Sequence, residues 1–224
     1  MRVVGVDACK RGWVAVVLAD GRFAGAHLMA TLAELLDSVQ DVRVAGVDMP
    51  LGLVDHGWRD ADAAAVAVLG PRRSSLFRVP PRPVWDEPDF AAANTRCREL
   101  TGVGMSRQAW GLGVKLREAN DCRGRHSGLL YEVHPEVSFR HLSGSPLPYA
   151  KTTWNGQALR RTLLRDHGVV LADDLGVAGR AAPDDVLDAA VAAWSAHRIA
   201  IGTAVSYPDP PQATDDGDRI AIWA

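Results

Sequence analysis

Four acidic residues stand at places where a folded chain can bring them together. Asp7 closes the apolar run of residues 3–6, and Asp48 closes a second run, residues 42–47. Asp185 and Asp188 lie three apart at the start of an alanine-rich helical segment, so they share one face. If the two apolar runs are parallel neighbouring strands, both aspartates emerge at the same sheet edge, where open α/β sheets place their sites. A helix N-terminus docked there adds two more carboxylates. With no lysine partner evident, such a cluster repels itself unless a divalent cation neutralises it. Oxygen-only ligation suits Mg²⁺ or Mn²⁺ better than zinc. Two such ions, about 4 Å apart, can activate water and stabilise the leaving oxygen in phosphodiester hydrolysis. Taken singly, each acid has a plainer account: a turn former at Asp7, a strand-end cap at Asp48, and macrodipole partners at Asp184, Asp185 and Asp188. The joint pattern favours the cluster.

Positioning these acids takes a definite order of elements. Residues 3–6, 13–18 and 23–29 read as three strands, with Asp20-Gly21 as the hairpin turn between the last two. Thr31 caps a helix whose Leu32, Leu35, Leu36 and Val39 fall at helical spacing. A fourth strand, residues 42–47, is stopped by Met49-Pro50 and pairs most naturally beside the first. Helical patterns at 60–69, 89–100 and 106–120 follow, interrupted by a stretch rich in proline and arginine at 71–83. Its prolines forbid a continuous helix or a central strand. Residues 51–125 therefore read as an insertion, thin in apolar content, within one domain spanning 1–224. An apolar strand returns at 129–133 carrying Glu132. Two helices come next, 154–167 capped by Thr153 and 185–199 capped by Asp184, and then a loose tail in which 219–223 adds an edge strand. The fold class is α/β, a mixed sheet flanked by helices.

Composition sets the outer limits. The chain has 224 residues, 47% hydrophobic and 23% charged, which excludes disordered and fibrous classes. Its net charge of -2 conceals a segregation: residues 71–125 carry 11 basic and 6 acidic side chains, and both flanks are acidic. Arg72, Arg73, Arg78, Arg82 and Arg107 in this basic middle suit phosphates, since arginine offers a bidentate fork. Phe77, Trp85 and Trp110 interleave with them and can stack on unpaired bases. The alternative is a structural insertion whose arginines pair with Asp86, Glu87 and Asp89 while the tryptophans fill a small core. Lys151, beside Thr152 and Thr153 at a helix start, is a further phosphate candidate, and a plain surface lysine otherwise. Cys9, Cys97 and Cys122 show no C-x-x-C spacing, so reduced thiols are expected. No apolar run reaches the roughly 18 residues of a membrane span. The opening run is broken by Asp7, Lys10 and Arg11, unlike a secretory leader, and a cytoplasmic location is expected.

Val4-Gly5-Val6-Asp7-Ala8-Cys9-Lys10-Arg11-Gly12-Trp13 resembles the first strand of the RNase H-like superfamily, and Asp184-Asp185-Val186-Leu187-Asp188-Ala189-Ala190 resembles the last metal-ligand helix of its RuvC-type branch. More closely, the chain is similar to the family called domain of unknown function 429, described as predicted RNase H-like nucleases. Asp48-Met49-Pro50-Leu51-Gly52, Pro71-Arg72-Arg73-Ser74-Ser75, Ser106-Arg107-Gln108-Ala109-Trp110, Glu132-Val133-His134-Pro135-Glu136 and the closing helix carry that match. The resemblance implies a βββαβαβα core and a nuclease that takes nucleic acid, DNA or RNA, as substrate. It implies Asp7, Asp48 and Asp188 as direct ligands of Mg²⁺ or Mn²⁺, with Asp185 as a fourth ligand or helper. Glu132, at the same-face spacing of two from His134, completes the site or moves a proton. The RNase H pattern usually places a carboxylate in the first helix, but Glu34 there falls on the exposed face, so the resemblance implies a site that relies on Asp48 instead, as in the RuvC-type branch. Arg72, Arg73, Arg78, Arg107 and Lys151 are the expected nucleic-acid contacts.

Two other classes compete. An actin-like or sugar-kinase-like phosphotransferase shares the core but needs a second glycine-rich phosphate loop and a second lobe, and neither is evident. A non-catalytic nucleic-acid-binding module on the same fold should lack part of the acidic cluster. A serine or cysteine hydrolase is disfavoured, because no Gly-x-Ser-x-Gly elbow occurs and Cys9 lacks a neighbouring base.

Overall fold

The computed structural model describes residues 1–126, 128–214, 217 and 219–224. Seven strands form one mixed sheet in the order β3-β2-β1-β4-β5-β7-β6: β1 (Arg2–Cys9), β2 (Gly12–Ala19), β3 (Arg22–Met29), β4 (Val42–Asp48), β5 (Leu130–Val133), β6 (Ser206–Ala213) and β7 (Arg219–Trp223). The first three are antiparallel, and β1, β4, β5 and β7 run parallel. Asp20 and Gly21, both at positive φ, make the predicted turn between β2 and β3. Helix α1 (Leu32–Ser38) carries the expected Thr31 cap, completed by the Glu34 side chain reaching back to the Thr31 amide.

Strand periodicity divides the core into two layers. Val4, Val6, Ala45 and Val47 face α1 and the helices of 51–125. These are α2 (Asp60–Leu69), α3 (Arg82–Trp85), α4 (Phe90–Thr101), α5 (Arg107–Gly111) and α6 (Gly113–Arg125), with a 3₁₀ turn at Gly70–Ser75. Val3 and Val44 face α7 (Pro135–Ser143), α8 (Trp154–Asp166) and α9 (Pro183–Ala200). Of these helices, α9 lies closest to the sheet. Gly5 and Gly46 are register partners. A Cβ on Gly5 would sit 1.9 Å from the Ala193 amide nitrogen, and one on Gly46 2.7 Å from the Ala192 carbonyl oxygen. Two bare glycines opposite an alanine stripe let the helix backbone rest directly on β1 and β4.

Five sequence expectations change here. Strand β7 is interior rather than an edge, because β6 pairs outside it. The segment expected to be a loose tail forms β6, whose Pro208, Pro210 and Pro211 are tolerated because it is the edge strand. The helix expected over 106–120 is two, broken at Leu112. Helix α9 starts at Pro183 with Ala182 as its cap position, so Asp184 lies inside the first turn. The segment 51–125 is also less thin than its composition suggests, since Val79, Trp85, Leu116, Ala119 and Cys122 are buried in the core against α1 and the sheet. The cysteines are free thiols, as expected. No helix among the described residues is long and apolar enough to cross a membrane.

Candidate metal centre

Asp7 and Asp48 close adjacent parallel strands and are direct register partners, so their side chains leave the same sheet face side by side. Asp188 descends onto them from the second turn of α9, which the Gly5 and Gly46 contacts hold against the sheet. One carboxylate oxygen from each of Asp7, Asp48 and Asp188 lies within 4.8 Å of the others. Asp7 and Asp188 are buried, and Asp48 opens partly onto a cleft. This cleft, about 460 Å³, is lined by Lys151, His134 and residues of the 3₁₀ turn as well as by the three acids. Another cleft, about 930 Å³, runs between α8 and the start of α9, but none of the three clustered acids lines it.

The electrostatics describe three carboxylates in need of positive charge. Burial, then the charges of Asp48 and Asp188, hold the Asp7 carboxyl well above the usual carboxylate range. Asp48 is pushed up to about 8 by burial and by Asp188, with Lys151 partly opposing. Asp188 is pushed up to about 6 by burial, against the pull of Lys151. The Lys151 ammonium donates to Asp188 Oδ2 at 2.5 Å, and this charge keeps it protonated in spite of its own burial. The expectation of a cluster without a lysine partner is thus overturned: the partner comes from the loop before α8, 37 residues away in sequence. Asp188 Oδ1, by contrast, is buried and has no hydrogen-bond partner. An unpaired buried carboxylate oxygen is costly, and it suits the donor set of a hard cation.

The other predicted residues are placed as follows. Asp185 is half-buried and stands outside the group of three, although its charge still reaches Asp7. Glu132 is not in the cluster. It pairs in register with Val47, one residue before Asp48, and so leaves the opposite sheet face. There Arg59 grips both its oxygens at 2.8 Å, and the Leu51 amide donates to Oε2 at 2.7 Å. Arg59 also donates to Asp62 Oδ1, and the Val79 amide to Asp62 Oδ2. Arg59, Asp62 and Glu132 form a buried ion network that ties α2 to β5. Arg59 escaped sequence analysis; its spacing of three from Asp62 at a helix start was the available signal.

Arg72 donates twice to the Leu147 carbonyl, so much of its fork is already used. Arg73, Arg78 and Arg107 are exposed and do not line the cleft; Arg78 lies over the Trp58 ring and Arg107 over the Phe90 ring. Trp85 is buried, stacks on Trp110 and donates to the Pro80 carbonyl, which removes it from any base-stacking surface. His134 lines the cleft with Nδ1 unpartnered, and burial lowers its basicity. Glu136 lies in the first turn of α7 and pairs with the buried Arg160.

A family described as protein of unknown function, DUF429, matches residues 5–213 of the chain, and the chain belongs to that family. No curated protein and no solved structure matches it. The mixed seven-stranded sheet flanked by helices is consistent with an RNase H-like α/β fold.

Proposed function

For this member of the DUF429 family we propose a divalent-metal-dependent phosphodiesterase acting on nucleic acid. The observation that carries the reading is the convergence of Asp7, Asp48 and Asp188, from three separate elements, with Asp188 Oδ1 buried and unpaired. Three ionised carboxylates and one ammonium leave two negative charges, the complement of one divalent cation. Mg²⁺ and Mn²⁺ fit this all-oxygen set. When bound, such an ion supplies charge that polarises a phosphoryl oxygen and acidifies water. Asp7, Asp48 and Asp188 would hold it. Lys151, partly exposed in the same cleft, presents a cation to a phosphate oxygen, and His134, kept neutral by burial, can accept a proton there. Glu132 has no free oxygen for proton transfer; with Arg59 it stiffens the floor beneath the site. Arg73, Arg78 and Arg107 are exposed cations that a phosphate backbone can reach.

The Lys151–Asp188 pair favours one competing reading, a cluster neutralised by an ammonium on a protein that binds nucleic acid without cutting it. The two readings separate in one experiment. The purified chain with Mn²⁺ should cleave a panel of DNA and RNA substrates, and Asp7→Asn should lower the rate by at least about 100-fold while leaving the circular dichroism spectrum unchanged. Cleavage that survives Asp7→Asn sinks the phosphodiesterase reading.

A further inference from the structure

Resting on that reading, we infer that the site takes a single divalent cation and that the Lys151 ammonium stands where a two-ion centre would place the second. Two-ion centres set their cations about 4 Å apart, bridged by carboxylate oxygens. Here one of the Asp188 oxygens is already committed. Oδ2 receives the Lys151 ammonium at 2.5 Å, and only Oδ1 remains buried and unpaired. Asp188 therefore offers one oxygen to an ion and the other to the Lys151 ammonium.

Charge gives the same answer by a separate route. Asp7, Asp48 and Asp188 supply three negative charges to a mostly buried volume, and Lys151 supplies one positive. One divalent ion brings the total to neutral. A second would leave two uncompensated positive charges, or one if Asp185 also turned its half-buried carboxylate inward. Excess charge of either sign is expensive in such surroundings. The pairing also has a structural basis. Lys151 belongs to the turn before α8, whose Thr153 side chain accepts from the Gly156 amide, and the close approach of Gly156 to the Ala150 carbonyl fixes that turn. A Cβ on Gly156 would lie 1.9 Å from the Ala150 oxygen. The Cα of Lys151 is thus held by an ordered turn, from which the ammonium reaches Asp188 Oδ2. A lysine in this place also suits the chemistry, because it can touch a phosphate oxygen without needing a further metal-binding equilibrium.

The test is the number and coupling of bound ions, which does not depend on turnover. Wild-type protein titrated with Mn²⁺ should take up one ion by calorimetry, with the paramagnetic resonance spectrum of an isolated ion. Lys151→Ala removes the resident cation, so it should bind two, with the spectrum of an exchange-coupled pair. Lys151→Arg keeps the charge and should remain at one. Lys151→Met retains the stem's packing and serves for the count if the alanine variant melts early. Two coupled ions on the wild type overturn the inference. One ion on both wild type and Lys151→Ala also overturns it, because the lysine would then hold no ion's place. If wild type binds no Mn²⁺ while Asp188 is intact, the phosphodiesterase reading itself falls, a result distinct from either count.

Discussion

Replacing Asp48 by asparagine should stabilise the ion-free protein. Burial and the neighbouring Asp188 push Asp48 up to about 8 in the folded state, against an ordinary value near 3.8 in the unfolded chain. A group whose folded value is raised contributes stability that is complete below its unfolded pKa and is lost as pH rises toward the folded one. Between those limits the folded protein holds a proton that the unfolded chain has released. Stability therefore falls by about 1.4 kcal/mol per pH unit, up to roughly 4 kcal/mol by pH 7. Asparagine does not titrate and escapes this loss. Asp48 opens partly onto the cleft, so water screens part of the effect. Half of it, about 2 kcal/mol, corresponds to about 4 °C in Tm for a chain of this length. Differential scanning calorimetry in EDTA, at pH 5, 6, 7 and 8, measures it. The variant should melt higher at pH 7, and its margin over wild type should widen from pH 5 to pH 8. Added Mn²⁺ should then raise the wild-type Tm and leave the variant's unchanged. A variant that melts lower at pH 8, or a margin that narrows with pH, refutes the argument that this cluster carries destabilising charge.

Three further outcomes follow from the same geometry. Mn²⁺ affinity should rise with pH between 6 and 8, by up to about tenfold per unit for each proton displaced from the raised carboxyls, and calorimetry in buffers of different ionisation enthalpy should register the released protons. Arg59→Ala leaves Glu132 and Asp62 buried without their partner and should lower the unfolding free energy by about 3–5 kcal/mol, read from the urea midpoint. Gly5→Ala drives a methyl group into the α9 backbone at Ala193, so it should cost at least about 3 kcal/mol and weaken Mn²⁺ binding by lifting Asp188 from its partners; an unchanged Kd would separate helix position from ion binding.

Much of this protein was legible in its sequence, and the reason is local. A run such as Val-Val-Gly-Val followed by Asp carries its own strand and its own strand end. Two such runs and one helix with Asp188 in its second turn suffice to put the three converging acids among the candidates, because strand and helix periods decide which way each points. They do not exclude Asp185, which shares the Asp188 face. The Thr31 cap, the Asp20-Gly21 turn and the closing helix are likewise contained in a few neighbouring residues. Other features depended on pairing between distant segments. The register of β5 against β4 turned Glu132 to the far face, a matter of one residue that no local pattern specifies. Prolines concealed β6, because only its place at the sheet edge makes them harmless. Arg59 and Lys151 came to their carboxylates from 73 and 37 residues away, and long flexible cations carry no periodic signal of their own. The sequence by itself put Asp7, Asp48 and Asp188 among the acids that meet, and the fold removed Asp185 and Glu132 from that set. Tertiary structure alone decided which cations answer them, since an ion pair is chosen by what the fold brings within reach.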